Sequence, residues 1–468
     1  MRYLPLLIAL LLTSTIHAAP PNIIVILTDD QGYGDFSFTG NPILRTPHVD
    51  ALAAQSVRYT DFNVSPTCAP TRCALLTGRH EFKSGVTHTI NERERMSLKA
   101  TTLPQILKSA GYSTGIFGKW HLGDEDAYQP NQRGFDEVFI HGAGGIGQSY
   151  PGSCGDAPGN TYFNPAIKHN GTFEKTEGYC TDIFFNRAAK WIEAQKGKGP
   201  FLAWIATNAP HMPLQVKPED EARYAGKVAP QVAKFFGMIA NIDDNVGKLM
   251  ARLKDLEIER ETIVIFMTDN GGTVGADLYN AGMRGKKVTP WLGGIRTPLL
   301  IRYPGVLTAG DRNQFTAHVD LLPTLAEITA ARIPEDLKPN LDGRSLLPIL
   351  KDVKAPWPNR TLVTHVGRWT RGKGADSKYY YCSIRDEQYQ LVTALNTAQK
   401  GWKLYDLKAD PAEKTDILAA NPEVAKRLEA AYDQWWKEAL PPALESEWTI
   451  GPKVNPFKEQ YLKQFPPP

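Results

Sequence analysis

The chain has 468 residues, of which 42% are hydrophobic and 22% are charged, as in an ordinary globular protein. Its 39 glycines and 35 prolines are too few for a disordered or collagen-like chain, and no fixed-length repeat is present. The net charge is +3 with no run of five or more Lys or Arg, which argues against bulk nucleic-acid binding. The length predicts two or three domains, or one large α/β sheet.

Residues 1–18 have the pattern of a secretory signal peptide. Arg2 precedes an apolar run from Leu4 to Leu12, and small residues follow near Ala18. This run of nine residues is far shorter than the roughly 20 residues that cross a bilayer. We therefore predict an exported protein, periplasmic or secreted, that is not in the membrane after signal cleavage.

From residue 19 to residue 357, apolar strands alternate with amphipathic helices. Strands are predicted at 22–28, 112–117, 201–206, 262–267 and 298–302, and helices at 102–110 and 232–256. This alternation predicts an α/β catalytic domain, in which a large, mostly parallel sheet is flanked by helices. Residues 142–178 are rich in Gly, Asn, Pro and Tyr, which favours a long functional loop or insertion.

From residue 358 the pattern changes to short extended runs separated by turns. Strands are predicted at 361–366, 378–384, 389–393 and 402–407, followed by a helix at 422–440. Residues 358–468 are thus predicted to form a smaller C-terminal subdomain with an antiparallel sheet and a helix. Trp369 and Tyr379 to Tyr381 are candidates for stacking on sugars, although aromatic residues of a small sheet are more often core.

The chain has an odd number of cysteines, namely Cys68, Cys73, Cys154, Cys180 and Cys382. In an oxidising compartment at least one of them must be unpaired or chemically special. Cys154 and Cys180 flank one loop-rich segment and are candidates for a disulfide. The alternative is that both are buried free thiols.

Carboxylates follow two of the predicted strands at their carboxyl ends, where open α/β sheets bind ligands. Asp29 and Asp30 follow the first strand, and Asp269 and Asn270 follow strand 262–267. Brought together, these groups would repel one another without a cation, and their oxygens suit Ca²⁺ or Mg²⁺. Taken singly, each pair has a simpler interpretation, as the start of a turn or as part of a hairpin.

Further candidate groups follow the other strands. Lys119 and His121 come after strand 112–117, and His211 comes after strand 201–206. Cys68 precedes Pro70, which fits the first turn of a helix that stops at Gly78, so the helix dipole at Cys68 favours an anion. The alternatives are solvated lysines, a histidine that orders its loop, and a small buried cysteine.

The segment Cys68-Ala-Pro-Thr-Arg72, continued by Leu-Leu-Thr-Gly78, resembles the first signature of the formylglycine-dependent sulfatases of the alkaline phosphatase superfamily. The segment from Gly111 to His121 resembles the second signature. Matches also occur in the segments 29–35, 268–271 and 293–298. The resemblance covers nearly the whole mature chain, and it implies an alkaline phosphatase-like fold.

In this family a maturation enzyme oxidises the motif cysteine to formylglycine, and the hydrated aldehyde supplies the nucleophile. The resemblance implies that Cys68 is this residue. It also implies one Ca²⁺, held by Asp29, Asp30, Asp269, Asn270 and the modified Cys68.

The resemblance further implies how the remaining groups act. Arg72 would stabilise the formylglycine oxygens, and Lys119 and Lys287 would bind sulfate oxygens. His121 would be the base near the nucleophile. His211 would lie beside the leaving group and is the first candidate for its proton donor, with Lys287 as the second.

The sequence departs from the family pattern near Lys287. Leu292 stands where a Glu is usual, and Lys286 stands where a Gly is usual. An expected carboxylate is therefore missing, and the choice between Lys286 and Lys287 as the sulfate ligand is open.

Together these features predict an exported bacterial sulfuric ester hydrolase, arylsulfatase-like in sequence and dependent on Ca²⁺. It would release inorganic sulfate and an alcohol or phenol, with sulfated small molecules or carbohydrates as substrates. One alternative is a phosphomonoester, phosphodiester or phosphonate hydrolase on the same fold. Another is a non-catalytic protein that binds sulfated glycans.

Overall fold

A computed structural model describes residues 20–150, 153–395, 400–448 and 455–467. The signal peptide predicted at 1–18 lies outside the described residues. Across the described segments, no helix is both long enough and apolar enough to cross a membrane.

Fifteen strands are present in the described part of the chain. In chain order they are β1 (Asn22–Thr28), β2 (Val57–Asn63), β3 (Ser113–Lys119), β4 (Glu137–His141), β5 (Ala166–His169), β6 (Thr172–Lys175), β7 (Phe201–Ala206), β8 (Thr262–Thr268), β9 (Arg296–Arg302), β10 (Gly310–Arg312), β11 (Thr316–Ala317), β12 (Leu362–His365), β13 (Cys382–Arg385), β14 (Tyr389–Thr393) and β15 (Lys403–Asp406).

The α-helices number eleven in the same residues. They are α1 (Pro47–Ala54), α2 (Cys68–Thr77), α3 (Leu103–Lys108), α4 (Cys180–Gln195), α5 (Pro218–Ala222), α6 (Pro230–Asp255), α7 (Leu292–Ile295), α8 (Leu321–Ile328), α9 (Leu347–Lys351), α10 (Pro422–Trp448) and α11 (Pro456–Gln464).

Eleven strands form one large sheet in the order β10-β2-β9-β8-β1-β7-β3-β4-β5-β6, with β11 also beside β2. In its centre β1 pairs in parallel with β7 and β8, and β3 pairs in parallel with β7 and β4. Strand β9 is antiparallel to both of its neighbours. The predicted α/β class with a mostly parallel sheet is confirmed.

Strand β1 shows why helices cover both faces of this sheet. All seven of its residues are buried. Because successive side chains of a strand point to opposite faces, Ile23, Val25 and Leu27 pack in one core with α2 and α8. Ile24 and Ile26 pack in the opposite core with α4 and α6.

The segment 142–178, predicted to be a long loop, contains the hairpin β5–β6 at the edge of the sheet. Its turn is Asn170-Gly171, and both residues have positive φ, 46° and 95°. Asn-Gly is a strong hairpin signal because both residues tolerate this conformation. In the sequence that signal was hidden by the surrounding glycines and prolines.

Strands β12 to β15 form the predicted antiparallel C-terminal sheet, on which α10 packs through Leu428 and Tyr432. Helix α10 runs past the predicted end at 440 and contains Pro441 and Pro442. It continues because Ala439 and Ala443 are buried against an aromatic cluster that includes Trp369. Trp369 is itself buried, and Tyr379 packs against Tyr432, so both serve the core.

The C-terminal end of the chain returns to the large sheet. Phe457 of α11 is buried against Phe173 of β6, with the ring centroids 5.3 Å apart. The boundary at residue 357 stays a prediction.

Candidate active site at the carboxyl ends of the parallel strands

Four neighbouring strands deliver polar residues to one edge of the sheet. Because β3, β7, β1 and β8 are parallel and adjacent, their carboxyl ends lie side by side. These ends carry Lys119, the segment that leads to His211, the pair Asp29 and Asp30, and the pair Asp269 and Asn270.

The acidic residues predicted to hold a metal are brought together. Carboxylate oxygens of Asp29, Asp30 and Asp269 lie within 4.8 Å of one another, and all three residues are buried. Asn270 Nδ2 donates to Asp30 Oδ1 over 2.9 Å. Among the residues that the structure describes, Asp29 Oδ1 and Asn270 Oδ1 are buried oxygens without a hydrogen-bond partner. These orphaned oxygens are suitable ligands for a hard cation.

Each carboxylate lies beside at least one cation. The Lys119 ammonium contacts Asp29, and Lys287 Nζ lies 2.6 Å from Asp30 Oδ1. The guanidinium of Arg72 donates to Asp269 Oδ2 from Nη2 at 2.8 Å and from Nε at 3.0 Å. Three negative and three positive groups therefore balance within one buried cluster.

Burial and charge act against each other on the acids of this cluster. Burial raises the pKa of Asp29, and it raises the pKa of Asp269 to about 6. Burial also acts to raise the pKa of Asp30, but the neighbouring Lys287 and His211 together with the Asn270 amide lower it below its usual range. Asp30 is thus the most firmly ionised of the three.

Cys68 is the first residue of α2, as the position of Pro70 predicts, and α2 ends before Gly78 at φ 63°. Its Sγ, a carboxylate oxygen of Asp29 and a ring nitrogen of His211 lie within 4.8 Å of one another. Cys68 is only 2% exposed, and burial raises the pKa of its thiol. An unmodified Cys68 therefore stays protonated and is a poor nucleophile at neutral pH.

None of the five cysteines forms a disulfide, and all five lie in the described part of the chain as buried thiols. Cys154 and Cys180, for which a disulfide was one of two predicted states, are both free here.

His121 follows Lys119 and Trp120 in a left-handed backbone conformation with φ 60°. Its Nε2 lies 2.7 Å from the Thr89 carbonyl oxygen. A carbonyl only accepts hydrogen bonds, so Nε2 carries the proton and Nδ1 carries the lone pair. In the described structure Nδ1 is buried without a hydrogen-bond partner. Burial and the nearby Lys119 hold the pKa of His121 well below its usual value, which keeps the ring neutral.

Two residues that the sequence did not single out hold His121 in place. Thr89 supplies only its backbone oxygen, so no side-chain signal could have identified it. Gly144 leaves room for the ring, because a Cβ there would lie 2.6 Å from His121 Cε1.

His211 also lies beside the acidic residues. Its Nε2 is 3.8 Å from Asp30 Oδ2, and its Nδ1 is 2.7 Å from the Met212 carbonyl oxygen. The Met212 carbonyl again requires a proton on Nδ1, so Nε2 faces the acidic cluster with its lone pair. Burial, with the Lys287 charge, lowers the pKa of His211 to about 3.

The two neighbouring lysines, Lys286 and Lys287, point in different directions. Lys287 reaches Asp30, and its side chain is 13% exposed. Lys286 Nζ lies 2.9 Å from Asp277, and its side chain is 48% exposed. The next residue, Val288, has a positive φ of 68° and donates its N–H to the Pro66 carbonyl, which fixes this arrangement. Of the two, Lys287 therefore lies in the cluster.

Comparison with known proteins identifies the family. The sulfatase family model matches residues 21–331, and a second model, N-sulphoglucosamine sulphohydrolase, C-terminal, matches residues 290–437. Arylsulfatase A of Homo sapiens is 30% identical over 93% of this chain and 90% of its own length. N-acetylgalactosamine-6-sulfatase of Homo sapiens is 28% identical, covering 96% of this chain and 92% of that protein.

A solved structure is similar over most of its length. The crystal structure of Ps i-CgsB in complex with k-i-k-neocarrahexaose has a TM-score of 0.79 and 29% identity, covering 91% of this chain and 94% of that one. The matched family model covers well over half of the chain. The chain therefore belongs to the sulfatase family and is a sulfuric ester hydrolase.

Proposed function

We propose that the protein hydrolyses sulfate monoesters by means of a formylglycine made from Cys68, with one Ca²⁺ at the acidic cluster. The observation that carries this proposal is the position of Cys68. It begins α2 beside Asp29 and His211, one helical turn before Arg72 and within a cluster that also contains Lys119. By the family resemblance, one hydroxyl of the hydrated residue would lose its proton to solvent and attack sulfur. The ester S–O bond would break, the alkoxide would leave, and residue 68 would carry the sulfate.

The residues fit a hard divalent cation. Oxygen ligands are available from Asp29, Asp30, Asp269 and Asn270. Two of these oxygens are buried and have no hydrogen-bond partner among the described residues. We propose that these four residues and modified Cys68 hold the Ca²⁺. When bound, this ion would stabilise negative charge on the nucleophile and on the sulfate oxygens.

The cations of the chain would bind the anionic part of the substrate. Lys119 and Lys287 carry fixed positive charge in a buried site, where each is worth more to a developing negative charge than it would be in water. Arg72, which one carboxylate already orients, would stabilise the oxygens of modified Cys68.

The two histidines would move protons at opposite ends of the reaction. His121 is held by Thr89 with Nδ1 free, so Nδ1 is the atom that would accept a proton from the second, unsulfated hydroxyl of residue 68. This transfer would expel sulfate and restore the aldehyde. His211 Nε2 is our first candidate for delivering a proton to the departing alkoxide, and Lys287 is the second. Because the pKa of His211 is low, its ring must first gain that proton from solvent.

We propose a sulfated carbohydrate as the substrate class. Two comparisons support this: the relative named N-acetylgalactosamine-6-sulfatase, and the similar structure that holds k-i-k-neocarrahexaose. Export through the predicted signal peptide, to the periplasm or the medium of a bacterial host, would bring the enzyme to such substrates. A formylglycine-generating enzyme would be its partner during maturation.

The test is turnover of matched nitrophenyl esters. Wild-type protein, expressed with a formylglycine-generating enzyme, should hydrolyse the sulfate with a higher kcat/KM than the phosphate or phosphonate. Cys68→Ala should abolish turnover, and mass spectrometry of the residue-68 peptide should show the aldehyde. A large phosphate preference would indicate the alternative hydrolase. Binding of sulfated glycans without turnover would indicate the non-catalytic alternative. An unmodified thiol throughout active protein would refute the formylglycine mechanism.

A further inference from the structure

Glu413 of the C-terminal part is buried beneath the loop that carries Lys287. It ends an Asp-Pro-Ala-Glu turn after β15, has a φ of 53° and is 0% exposed. Two hydrogen bonds brace the turn: Asp410 Oδ2 accepts the backbone N–H groups of Lys414 at 2.6 Å and Thr415 at 2.7 Å. These bonds hold the backbone next to Glu413.

Glu413 contacts both ends of that loop. Its Oε2 accepts the backbone N–H of Leu292 over 2.9 Å, and its carbonyl oxygen accepts Arg284 Nη1 over 3.0 Å. The Arg284 guanidinium lies over the Trp291 ring, 3.8 Å from its centroid. One residue of the C-terminal part therefore fastens both ends of the segment 284–292.

This segment brings Lys287 to the acidic cluster. It is closed by the Gly293 N–H, which donates to the Arg284 carbonyl over 2.7 Å. At its tip the Lys287 N–H donates to the Gly272 carbonyl over 3.1 Å, and Lys287 Nζ reaches Asp30. A shift at the fastened ends would therefore move the Lys287 ammonium relative to Asp30.

The cost of burying Glu413 argues against a merely stabilising role. Its Oε1 is buried and has no hydrogen-bond partner among the described residues. A buried carboxyl oxygen without a partner destabilises the folded state. The residue is therefore poorly suited to holding the two sheets together, whereas its second oxygen is well placed to orient the loop.

We propose that Glu413 is a positioning residue of the sulfatase reaction, whose carboxyl group holds Lys287 in place through the Leu292 N–H. The proposal rests on the proposed function, in which Lys287 binds a sulfate oxygen. Lys287 is the group that meets the substrate, and Glu413 acts only through it.

A double-mutant cycle tests this role. We would measure kcat and KM for nitrophenyl sulfate with wild type, Glu413→Ala, Lys287→Ala and the double variant, all at saturating Ca²⁺. Glu413→Ala should lower kcat/KM by about tenfold to 10²-fold, as expected when a catalytic group is displaced by about 1 Å. The double variant should match Lys287→Ala within about threefold, because Glu413 has nothing left to position. Equal losses from Glu413→Ala with and without Lys287 would overturn the proposal.

Conservative and control variants sharpen the result. Glu413→Gln keeps an oxygen that accepts the Leu292 N–H and should retain kcat/KM within about threefold of wild type. A loss as large as that of Glu413→Ala would contradict the proposed contact. Glu387→Ala removes an exposed carboxylate in the turn between β13 and β14, paired with Lys408 at 2.7 Å, and should leave kcat/KM unchanged. If Glu413→Ala does not fold, Glu413→Asp, which is one methylene shorter, takes its place in the cycle.

A second measurement separates this inference from the proposed function. If the wild type turns over no sulfate ester, the proposed function fails, and Glu413 is judged by calorimetric titration with inorganic sulfate. Glu413→Ala and Lys287→Ala should then weaken sulfate binding alike. Unchanged affinity in Glu413→Ala would overturn the positioning role.

Discussion

Replacing two neighbouring lysines, one at a time, tests whether positive charge inside the acidic cluster supports catalysis. Lys287→Ala removes a buried cation from a cluster in which three acids and three bases balance. Lys286→Ala removes a cation of the same type, one residue away, that pairs with the exposed Asp277. The two variants therefore change the charge of the chain equally but differ in where they change it.

The expected effects differ by orders of magnitude. Removing one fixed donor to developing negative charge in a buried site costs about 10²–10³ in kcat, or about 2.7–4 kcal/mol. An exposed ion pair such as that of Lys286 is worth about 0–1 kcal/mol and lies away from the reaction. We therefore expect Lys287→Ala to lose about 10²-fold or more in kcat/KM and Lys286→Ala to stay within about twofold of wild type.

The assay is steady-state hydrolysis of nitrophenyl sulfate, with thermal unfolding of each variant as a control. Unfolding matters because Lys287→Ala leaves Asp30 with one fewer partner in the interior, which can lower stability by several kcal/mol, on the order of 3–5. Variants are compared below their melting temperatures, so lost activity is not lost fold. The reasoning is refuted if Lys287→Ala keeps wild-type kcat/KM, or if Lys286→Ala loses as much.

Three further predictions address the metal and His121. EDTA should abolish turnover and lower the melting temperature, because a bound ion stabilises the folded state that holds its ligands Asp29, Asp30 and Asp269, and Ca²⁺ should restore both. Indifference to EDTA would contradict the metal site. His121→Ala should slow sulfate release by about 10²–10⁴-fold, so that sulfated enzyme accumulates and is seen in intact-mass spectra. A change in KM alone would show that the role of His121 is misassigned. The Cβ of Gly144→Ala would lie 2.6 Å from His121 Cε1, so this variant should lower kcat at least about tenfold without changing the circular dichroism spectrum. A kcat equal to that of the wild type would show that the His121 ring is free to move.

Features of the fold that depend on local pattern were predictable from sequence. The apolar run Asn22–Thr28 forms a buried central strand, and the alternation that follows gives the parallel sheet. The predicted end of the C-terminal helix at residue 440 was wrong, because long-range packing outweighs the local effect of the prolines. Helix α10 continues through Pro441 and Pro442 because its alanines pack on an aromatic cluster that is distant in sequence.

In the candidate site, too, local pattern was predictable from sequence and long-range contacts were not. Asp29, Asp30, Asp269 and Asn270 could be placed together because parallel strands end at one edge of the sheet. The direction of Lys287 could not be predicted, since it depends on a backbone contact to Gly272. Thr89 could not be predicted either, since it acts through a carbonyl group that every residue has.

The predicted boundary at residue 357 separates the two sheets but not the surroundings of the site. On one side, Arg368 Nη2 donates to Thr89 Oγ1 over 3.1 Å, next to the carbonyl that holds His121. On the other side, Glu413 accepts the Leu292 N–H at the end of the loop that carries Lys287. Both contacts come from residues after the boundary and reach loops before it. Each lies one step behind a group that we propose to act at the sulfate ester, so we expect substitutions in the C-terminal part to alter turnover as well as stability.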